Sequence, residues 1–249
     1  MADQYSEGMS GSRILRRVLA LDTGSPLVSV AVAESGRTLA QRSVQLGESS
    51  RLLLALIDEV LVETGLQLRH LDGIVALQGP GSFTGLRVGL ATVLGFHQAS
   101  EIPATAVPTL EILALQAATG PDPSAVVGAV NALRGEWFAQ PFSVGDAATP
   151  LAPARCCTPR QLLELGPGTI AGFGLSEVEE LASPPHGIRV QEPGPLAPVA
   201  SVFASSHRLE WDPKRLTEPI YQRPPAITPS RRAAATSAAS RPPRTGVSE

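Results

Sequence analysis

A glycine-rich segment in the first half of the chain has the composition of a binding loop. It reads Gly79-Pro80-Gly81-Ser82-Phe83-Thr84-Gly85-Leu86-Arg87-Val88. The apolar stretch before it (73–78) predicts a buried strand, and residues 87–99 predict a helix. A strand, a glycine loop and a helix together present free backbone N–H groups and a positive helix end to a ligand. That arrangement suits an anion or a protein partner, and the glycines let either approach the backbone closely.

The segment does not match the common phosphate-binding or nucleophile motifs. A Walker loop ends in Gly-Lys-Ser/Thr, and a dinucleotide fingerprint needs an acidic residue on the following strand; neither is present. A nucleophile elbow needs glycine two residues after its serine, where this chain has a threonine. The candidate anion or nucleotide loop is therefore defined by its residues alone: Asp22, Thr23, Gly79, Gly81, Ser82, Thr84 and Gly85.

Several polar residues in and beside this candidate loop also have a local structural interpretation. Asp22 ends the first predicted strand, so its carboxylate either contacts a nucleotide or accepts hydrogen bonds from its own turn. Ser82 or Thr84 either caps the following helix or binds a phosphate or a partner's carboxylate. Arg87, one turn into the helix, is either a solvated or salt-bridged arginine or one half of an interface ion pair. The sequence leaves these alternatives open.

Composition narrows the function classes. The chain has 249 residues, 43% of them hydrophobic, a formal net charge of −3 and only 4% aromatic residues, which argues against nucleic-acid binding without a partner. The two cysteines, Cys156 and Cys157, are adjacent and are expected to be reduced thiols. No metal site is expected from the dispersed histidines. The N-terminus shows neither a signal peptide nor a membrane helix, so a cytoplasmic protein without a membrane role is expected.

The order of the predicted elements indicates an α/β protein built from two related parts. Strands at 18–24, 27–33 and 39–44 precede a helix (51–64), a strand (73–78), a helix (87–99), a strand (104–107) and a helix (109–118). A looser version follows, with strands at 125–131 and 136–144, a helix (158–165), a strand (169–173) and a helix (197–206). We predict domains at 18–118 and 119–225, a disordered extension at 1–17 and a disordered Ala/Pro/Arg tail at 226–249.

Together these segments resemble the TsaB (YeaZ) family of bacterial proteins. The resemblance rests on Leu19-Ala20-Leu21-Asp22-Thr23, the leucine-rich helix from Leu52, the glycine run from Gly79 to Gly89, Ala132 with Gly135-Glu136, and the segment from Glu218 to Arg223. It spans residues 17–223. It implies the actin/Hsp70-like (ASKHA) fold with two related βββαβα-type domains.

The resemblance also implies a function. Members of this family are non-catalytic subunits that support a TsaD-like transferase in forming N6-threonylcarbamoyladenosine at position 37 of tRNAs. The His-x-x-x-His metal pair of that transferase is absent from this sequence. Further implied partners are a TsaE-like ATPase, tRNA indirectly through the complex, and a second copy when the transferase is absent. No tightly bound cofactor is implied, and ATP or ADP would act only at the level of the complex.

Two helices are the expected partner-binding elements. The helix at 51–64 is apolar around most of its circumference, and the next helix carries glycine at positions where each costs up to about 1 kcal/mol relative to alanine. We predict a four-helix contact with a homologous subunit. The predicted interface residues are Leu52, Leu53, Leu56, Val60, Gly85, Val88, Gly89, Thr92 and Gly95. The alternative is an enzyme, either an ATP-binding kinase-like protein or a glycoprotease-like peptidase.

Overall fold

A computed structural model of the chain describes residues 12–45, 49–118, 125–165 and 168–221. The first half contains β1 (Ser12–Arg13), β2 (Arg17–Asp22), β3 (Leu27–Glu34), β4 (Arg37–Gln45), α1 (Ser49–Thr64), β5 (Gly73–Leu77), α2 (Phe83–Ser100), β6 (Ala104–Val107) and α3 (Thr109–Ala117). The second half contains β7 (Val126–Asn131), β8 (Trp137–Val144), β9 (Ala148–Pro150), β10 (Arg155–Cys157), α4 (Pro159–Leu163), β11 (Gly168–Ala171), α5 (Glu179–Ala182), β12 (Ile188–Gln191), α6 (Ala197–Ser206) and β13 (Leu209–Glu210). Two short 3₁₀ helices lie at Leu68–His70 and Pro213–Thr217.

The first sheet has the strand order β4-β3-β2-β5-β6. β2, β3 and β4 form an antiparallel meander, and β5 and β6 add to β2 in parallel. The meander turns tightly at Ser35 and Gly36, both of which have positive φ angles (50° and 79°). The parallel strands need crossover connections, which α1 and α2 provide.

The second sheet repeats this arrangement with the order β10-β8-β7-β11-β12, and β9 pairs with β8. Here β7, β8 and β10 pair antiparallel, while β11 and β12 continue from β7 in parallel. Each half therefore follows the element order βββαβαβα, apart from the additional strands β1, β9 and β13. The two related halves predicted from the sequence are confirmed.

The last helix of each half packs against the sheet of the other half. α3 contacts β7 and β8, whereas α6 contacts β2 and β3, so both helices lie between the two sheets. One hydrophobic cluster runs through this layer and includes Val75 of the first sheet, Leu113 of α3, Phe142 of the second sheet and Ala200 of α6. The halves consequently share this central cluster, and two further clusters lie on the outer sides of the first and second sheets.

The chain after α6 stays with the first half. β13 pairs with β1, and the 3₁₀ helix at Pro213–Thr217 packs against α2 and β6. The predicted second domain at 119–225 therefore needs correction for residues 207–221, which pack with the first half. The predicted disordered extension at 1–17 is also too long, because Ser12–Arg13 forms a strand and Leu15 packs against the core. Residues 1–11 and 222–249, which include the predicted disordered tail, lie outside the described residues.

Helix α2 begins four residues earlier than predicted. Ser82 is its N-cap residue, and its side-chain oxygen accepts a hydrogen bond from the N–H of Gly85 at 3.3 Å. Thr84 and Gly85 therefore belong to the first turn of the helix and not to the preceding loop. Runs of two to four residues are too short to show a periodic pattern, so the sequence indicated only β6 and β11, which are mainly apolar. The other short elements, β1, β9, β10, α5, β12 and β13, were not predicted.

The glycines of α2 allow a close contact with the end of β2. A Cβ atom at Gly85 would overlap the backbone oxygen of Thr23, and one at Gly89 would overlap the Thr23 side chain. At Gly95, six residues further on, no atom from the rest of the described chain lies within 4 Å of the Cβ position, the helix's own backbone aside. Only the first two glycines are therefore needed for packing within this chain.

This difference predicts opposite effects of two alanine substitutions on stability. Gly85→Ala should lower the free energy of unfolding by about 2–3 kcal/mol, because the helix must move away from β2. Gly95→Ala should raise it by about 0.5–1 kcal/mol, because alanine favours the helix and meets no obstacle. Urea unfolding followed by circular dichroism measures both changes. Equal effects of the two substitutions would contradict the assigned packing.

Candidate partner interface and glycine loop

The glycine loop is held by hydrogen bonds to three other segments. The N–H of Ser82 donates to the carbonyl oxygen of Gly24 at 2.8 Å, and the carbonyl oxygen of Gly79 accepts from the N–H of Thr109 at 2.8 Å. The N–H of Ile220 donates to the carbonyl oxygen of Gln78 at 2.9 Å. Several backbone groups expected to face a ligand are thus used inside the protein.

Thr23 and Ser82 act as internal ties in this structure. The Thr23 hydroxyl is buried and donates a 2.7 Å hydrogen bond to the carbonyl oxygen of Gly85, in the first turn of α2. Ser82 caps the same helix. The cap matches the local interpretation of Ser82, and both contacts fix the start of α2 against β2.

Asp22 is fully buried at the end of β2. Its Oδ1 atom accepts hydrogen bonds from the N–H groups of Gly24 (3.1 Å) and Ser25 (3.2 Å), as in a turn carboxylate. Among the described residues, no hydrogen-bond partner lies at its Oδ2 atom. Burial disfavours the charged form and raises the pKa of Asp22 from the usual 3.8 to about 6, although the hydrogen bonds to Oδ1 partly oppose this shift.

Several predicted interface residues lie in the core and not on an outer face. Leu53, Leu56 and Val60 are at most 6% exposed and pack between α1 and the first sheet. Gly85 and Gly89 are buried against Thr23. In the single chain these five positions are unavailable to a partner, which corrects this part of the predicted interface. On α1 their spacing is that of an ordinary one-sided helix stripe, which the exposed leucines and valine beside it obscure in the sequence.

The other predicted positions lie on or beside an exposed face. Leu52 is 38% exposed, Val88 and Thr92 are partly buried, and Gly95 is exposed. The sequence prediction missed Leu54 and Val62, which are 64% and 70% exposed.

We call the exposed side of these two helices the α1–α2 face. On α1 it comprises Leu52, Leu54, Ala55, Asp58 and Val62, and on α2 it comprises Thr84, Arg87, Val88, Ala91, Thr92, Gly95 and Ala99. Two neighbouring acids on α1, Glu59 and Glu63, form ion pairs with Arg42 of β4. Of the eight large hydrophobic side chains exposed in the described part of the chain, four belong to these two helices. Such clustering is typical of an interaction surface.

The histidines and cysteines do not come together. The Nδ1 atoms of His70 and His97 make local hydrogen bonds to backbone groups of Gln67 and Ile102. Within the described ranges, no group of three His, Cys, Asp or Glu side chains is placed to hold a metal ion. Cys156 is exposed and Cys157 buried, and burial raises the pKa of the Cys157 thiol. No helix in the described ranges is long and apolar enough to cross a bilayer.

Comparison with known proteins identifies the family. A family model described as "TsaD: tRNA N6-adenosine threonylcarbamoyltransferase" matches residues 46–206, which is more than half of the chain. The chain belongs to this family. Within it, the chain is similar to the TsaB (YeaZ) proteins.

Two curated TsaB proteins and one solved structure show this similarity. The Escherichia coli protein is 31% identical over 122 residues, which cover 49% of this chain and 53% of that protein. The Haemophilus influenzae protein is 32% identical over 124 residues, which cover 49% of this chain and 52% of that protein. Both are called "tRNA threonylcarbamoyladenosine biosynthesis protein TsaB". The chain thus matches about half the length of these relatives. YeaZ from Pseudomonas aeruginosa superimposes with a TM-score of 0.68 at 25% identity, covering 83% of this chain and 99% of that one.

The structural match extends the sequence match to almost the whole described chain. The TsaB-like part recognised by sequence covers half of the chain, whereas the YeaZ structure overlays both halves. The predicted α/β fold of the actin/Hsp70-like class is confirmed by this match and by the two repeated sheets.

The buried carboxylate predicts a pH-dependent stability. Because the pKa of Asp22 is higher in the folded protein than in the unfolded chain, its protonated form favours folding below about pH 4. This contribution is lost as the pH rises through about 6, and it amounts to about 3 kcal/mol in total. In Asp22→Asn the contribution is absent, so the difference in unfolding free energy between the two proteins should change between pH 4.5 and 7.5. Urea unfolding across this range measures it, and parallel stability curves would contradict the assignment.

Proposed function

We propose that this chain is a non-catalytic subunit that binds a TsaD-like transferase and supports the formation of N6-threonylcarbamoyladenosine at position 37 of tRNAs. The observation that carries the proposal is the α1–α2 face, where aliphatic side chains on one helix lie beside small residues on the other. The family model and the names of the curated relatives support the reaction to which this surface contributes.

The shape of the face favours a partner that supplies two helices. Leu54, Asp58 and Val62 follow one another at four-residue intervals, and so do Ala91, Gly95 and Ala99 on α2. Rows at this spacing form the ridges and grooves through which helices interlock. Small residues let a second helix approach the α2 backbone, while Leu54 and Val62 supply apolar area. A homologous subunit with the same two helices would complete a four-helix contact.

The remaining features agree with a supporting subunit. The net charge of −3 gives this chain no general attraction for RNA, so tRNA binding is assigned to the complex. Ser82 is used as a helix cap, and His70 and His97 make local hydrogen bonds, so these three residues do not form a nucleophile and base pair. In this proposal a TsaE-like ATPase joins the complex in the cytoplasm, and ATP or ADP acts only within that complex. When the transferase is absent, the α1–α2 face forms a homodimer.

The proposal predicts which substitutions prevent assembly. The chain and a TsaD-like protein from the same genome should co-elute from a size-exclusion column after co-expression. Val62→Asp and Gly95→Arg should abolish co-elution, because one places a charge and the other a bulky cation on the apolar contact. Both positions are exposed, so the free energy of unfolding of the single chain should change by less than about 1 kcal/mol.

A matched control distinguishes the α1–α2 face from exposed apolar residues in general. Leu151 is 61% exposed in the second half, and Leu151→Asp should leave co-elution intact. Threonylcarbamoylation of tRNA by the reconstituted complex should be lost in Val62→Asp and Gly95→Arg and retained in Leu151→Asp. If Val62→Asp and Gly95→Arg assemble as well as the unchanged chain, the assigned face is wrong. Failure of the unchanged chain to assemble would refute the proposed function.

The enzyme alternative predicts nucleotide binding by the chain alone. Asp22 is inaccessible in the described structure, so we expect no saturable heat when Mg·ATP is titrated into the isolated protein. A stoichiometric heat that disappears in Asp22→Asn would instead favour an ATP-binding enzyme. Titration of the assembled complex serves as the comparison, because the proposal places any nucleotide there.

A further inference from the structure

An arginine at the start of the α1–α2 face is held in place by two aromatic rings. The guanidinium carbon of Arg87 lies 3.9 Å from the centre of the Phe83 ring and 5.9 Å from that of Tyr221. The Nε–H group of Arg87 donates a 3.0 Å hydrogen bond to the Tyr221 hydroxyl oxygen. The two rings contact each other, with centres 4.9 Å apart. We call these three residues the Arg87 cluster.

The Arg87 cluster leaves most of the arginine's hydrogen-bonding capacity unused. A guanidinium group has five N–H donors, and the bond to Tyr221 occupies only the one on Nε. Arg87 is exposed, and no carboxylate in the described part of the chain forms an ion pair with it. The four donors on the terminal nitrogens form the edge that binds a carboxylate or phosphate in a two-point contact.

Stacking and the hydrogen bond prepare Arg87 for binding. A free arginine side chain loses about 2 kcal/mol of rotamer entropy when it is fixed in a contact. In this chain the Phe83 ring and the Tyr221 hydroxyl restrict the side chain before any partner arrives. A cation that is fixed, partly stacked and unpaired has the properties of a binding hot spot, where arginine and tyrosine are enriched.

The position of Tyr221 is itself fixed by the segment before it. The side-chain amide nitrogen of Gln78 donates to the carbonyl oxygens of Glu218 (2.7 Å) and Arg215 (3.2 Å). With the bond from Ile220 to the Gln78 carbonyl, these contacts hold the chain against the end of β5. The Tyr221 ring therefore reaches Phe83 from a segment anchored to the first sheet.

Arg87 is continuous with the surface assigned to the partner. Arg87, Ala91, Gly95 and Ala99 succeed one another at four-residue intervals on α2 and are all exposed. A helix that packs along the small residues would pass next to the guanidinium group. Contact with a protein is therefore favoured over contact with RNA, which the net negative charge of the chain disfavours as well.

We propose that Arg87 binds a carboxylate side chain of the TsaD-like partner, with Tyr221 and Phe83 as positioning residues. This inference rests on the proposed function, because it assigns a specific polar contact to the same face. It adds selectivity to a contact that is otherwise apolar: a partner helix with a carboxylate at this point is accepted, and one with a cation is rejected by charge repulsion.

The test measures the affinity of the purified full-length chain for its TsaD-like partner by isothermal titration at two salt concentrations. Arg87→Ala should raise the dissociation constant by roughly 10- to 100-fold, and Arg87→Lys by several-fold because lysine lacks the planar two-point geometry. Tyr221→Phe, which keeps the ring and removes the hydroxyl, should weaken binding by several-fold. Arg37→Ala, at another exposed arginine, should leave binding unchanged. The salt dependence of binding should decrease in Arg87→Ala only.

Alanine variants of the partner's acidic residues then identify the carboxylate. One of these partner variants should bind the unchanged chain more weakly than the unchanged partner does. The same variant and the unchanged partner should bind Arg87→Ala equally well, which shows that the two groups interact. If no acidic residue of the partner couples to Arg87, or if Arg87→Ala binds as tightly as Arg37→Ala, the inference is wrong. In that case weakened binding by Val62→Asp would still support the proposed function. If Arg87→Ala loses affinity for tRNA instead of the partner, the assigned ligand class is wrong.

Discussion

The structure depends on the contact between the end of β2 and the first turn of α2. The Thr23 hydroxyl donates a hydrogen bond to the Gly85 carbonyl oxygen, and the N–H of Ser82 donates one to the Gly24 carbonyl oxygen. The helix can approach this closely because Gly85 and Gly89 have no side chains. This contact fixes the angle at which α2 leaves the sheet. The orientation of α2 in turn determines where Arg87 and the row of small residues face. A loop with the composition of a ligand-binding site thus serves to place a protein surface.

The sequence predicted the main elements because their patterns are long. The first three strands, α1, α2 and the repeated order of the second half follow from apolar runs and turn residues. The glycine run at Gly79 and the order of the other segments indicated the family. The short strands β9, β10 and β12 could not be predicted, since three or four residues do not establish a period.

The α1–α2 face was harder to predict than the fold. Leucine and valine occupy nearly every side of α1, so composition could not tell Leu53, which packs on the sheet, from Leu54, which faces outward. The Arg87 cluster joins residues 134 positions apart in the sequence, and nothing local to either end indicates the contact. Glycine presented the same difficulty, because Gly89 and Gly95 share one helix but only Gly89 touches another element.

The packing of α6 and of residues 207–221 against the first half has a consequence for synthesis. During translation the first sheet, α1 and α2 leave the ribosome long before α6, β13 and Tyr221. Until those last segments emerge, the sheet face that α6 covers stays open to solvent, and Arg87 lacks the hydroxyl that orients it. The α1–α2 face therefore reaches its described form only after Tyr221 has been synthesised, and a shorter nascent chain carries α1 and α2 without the Arg87–Tyr221 contact.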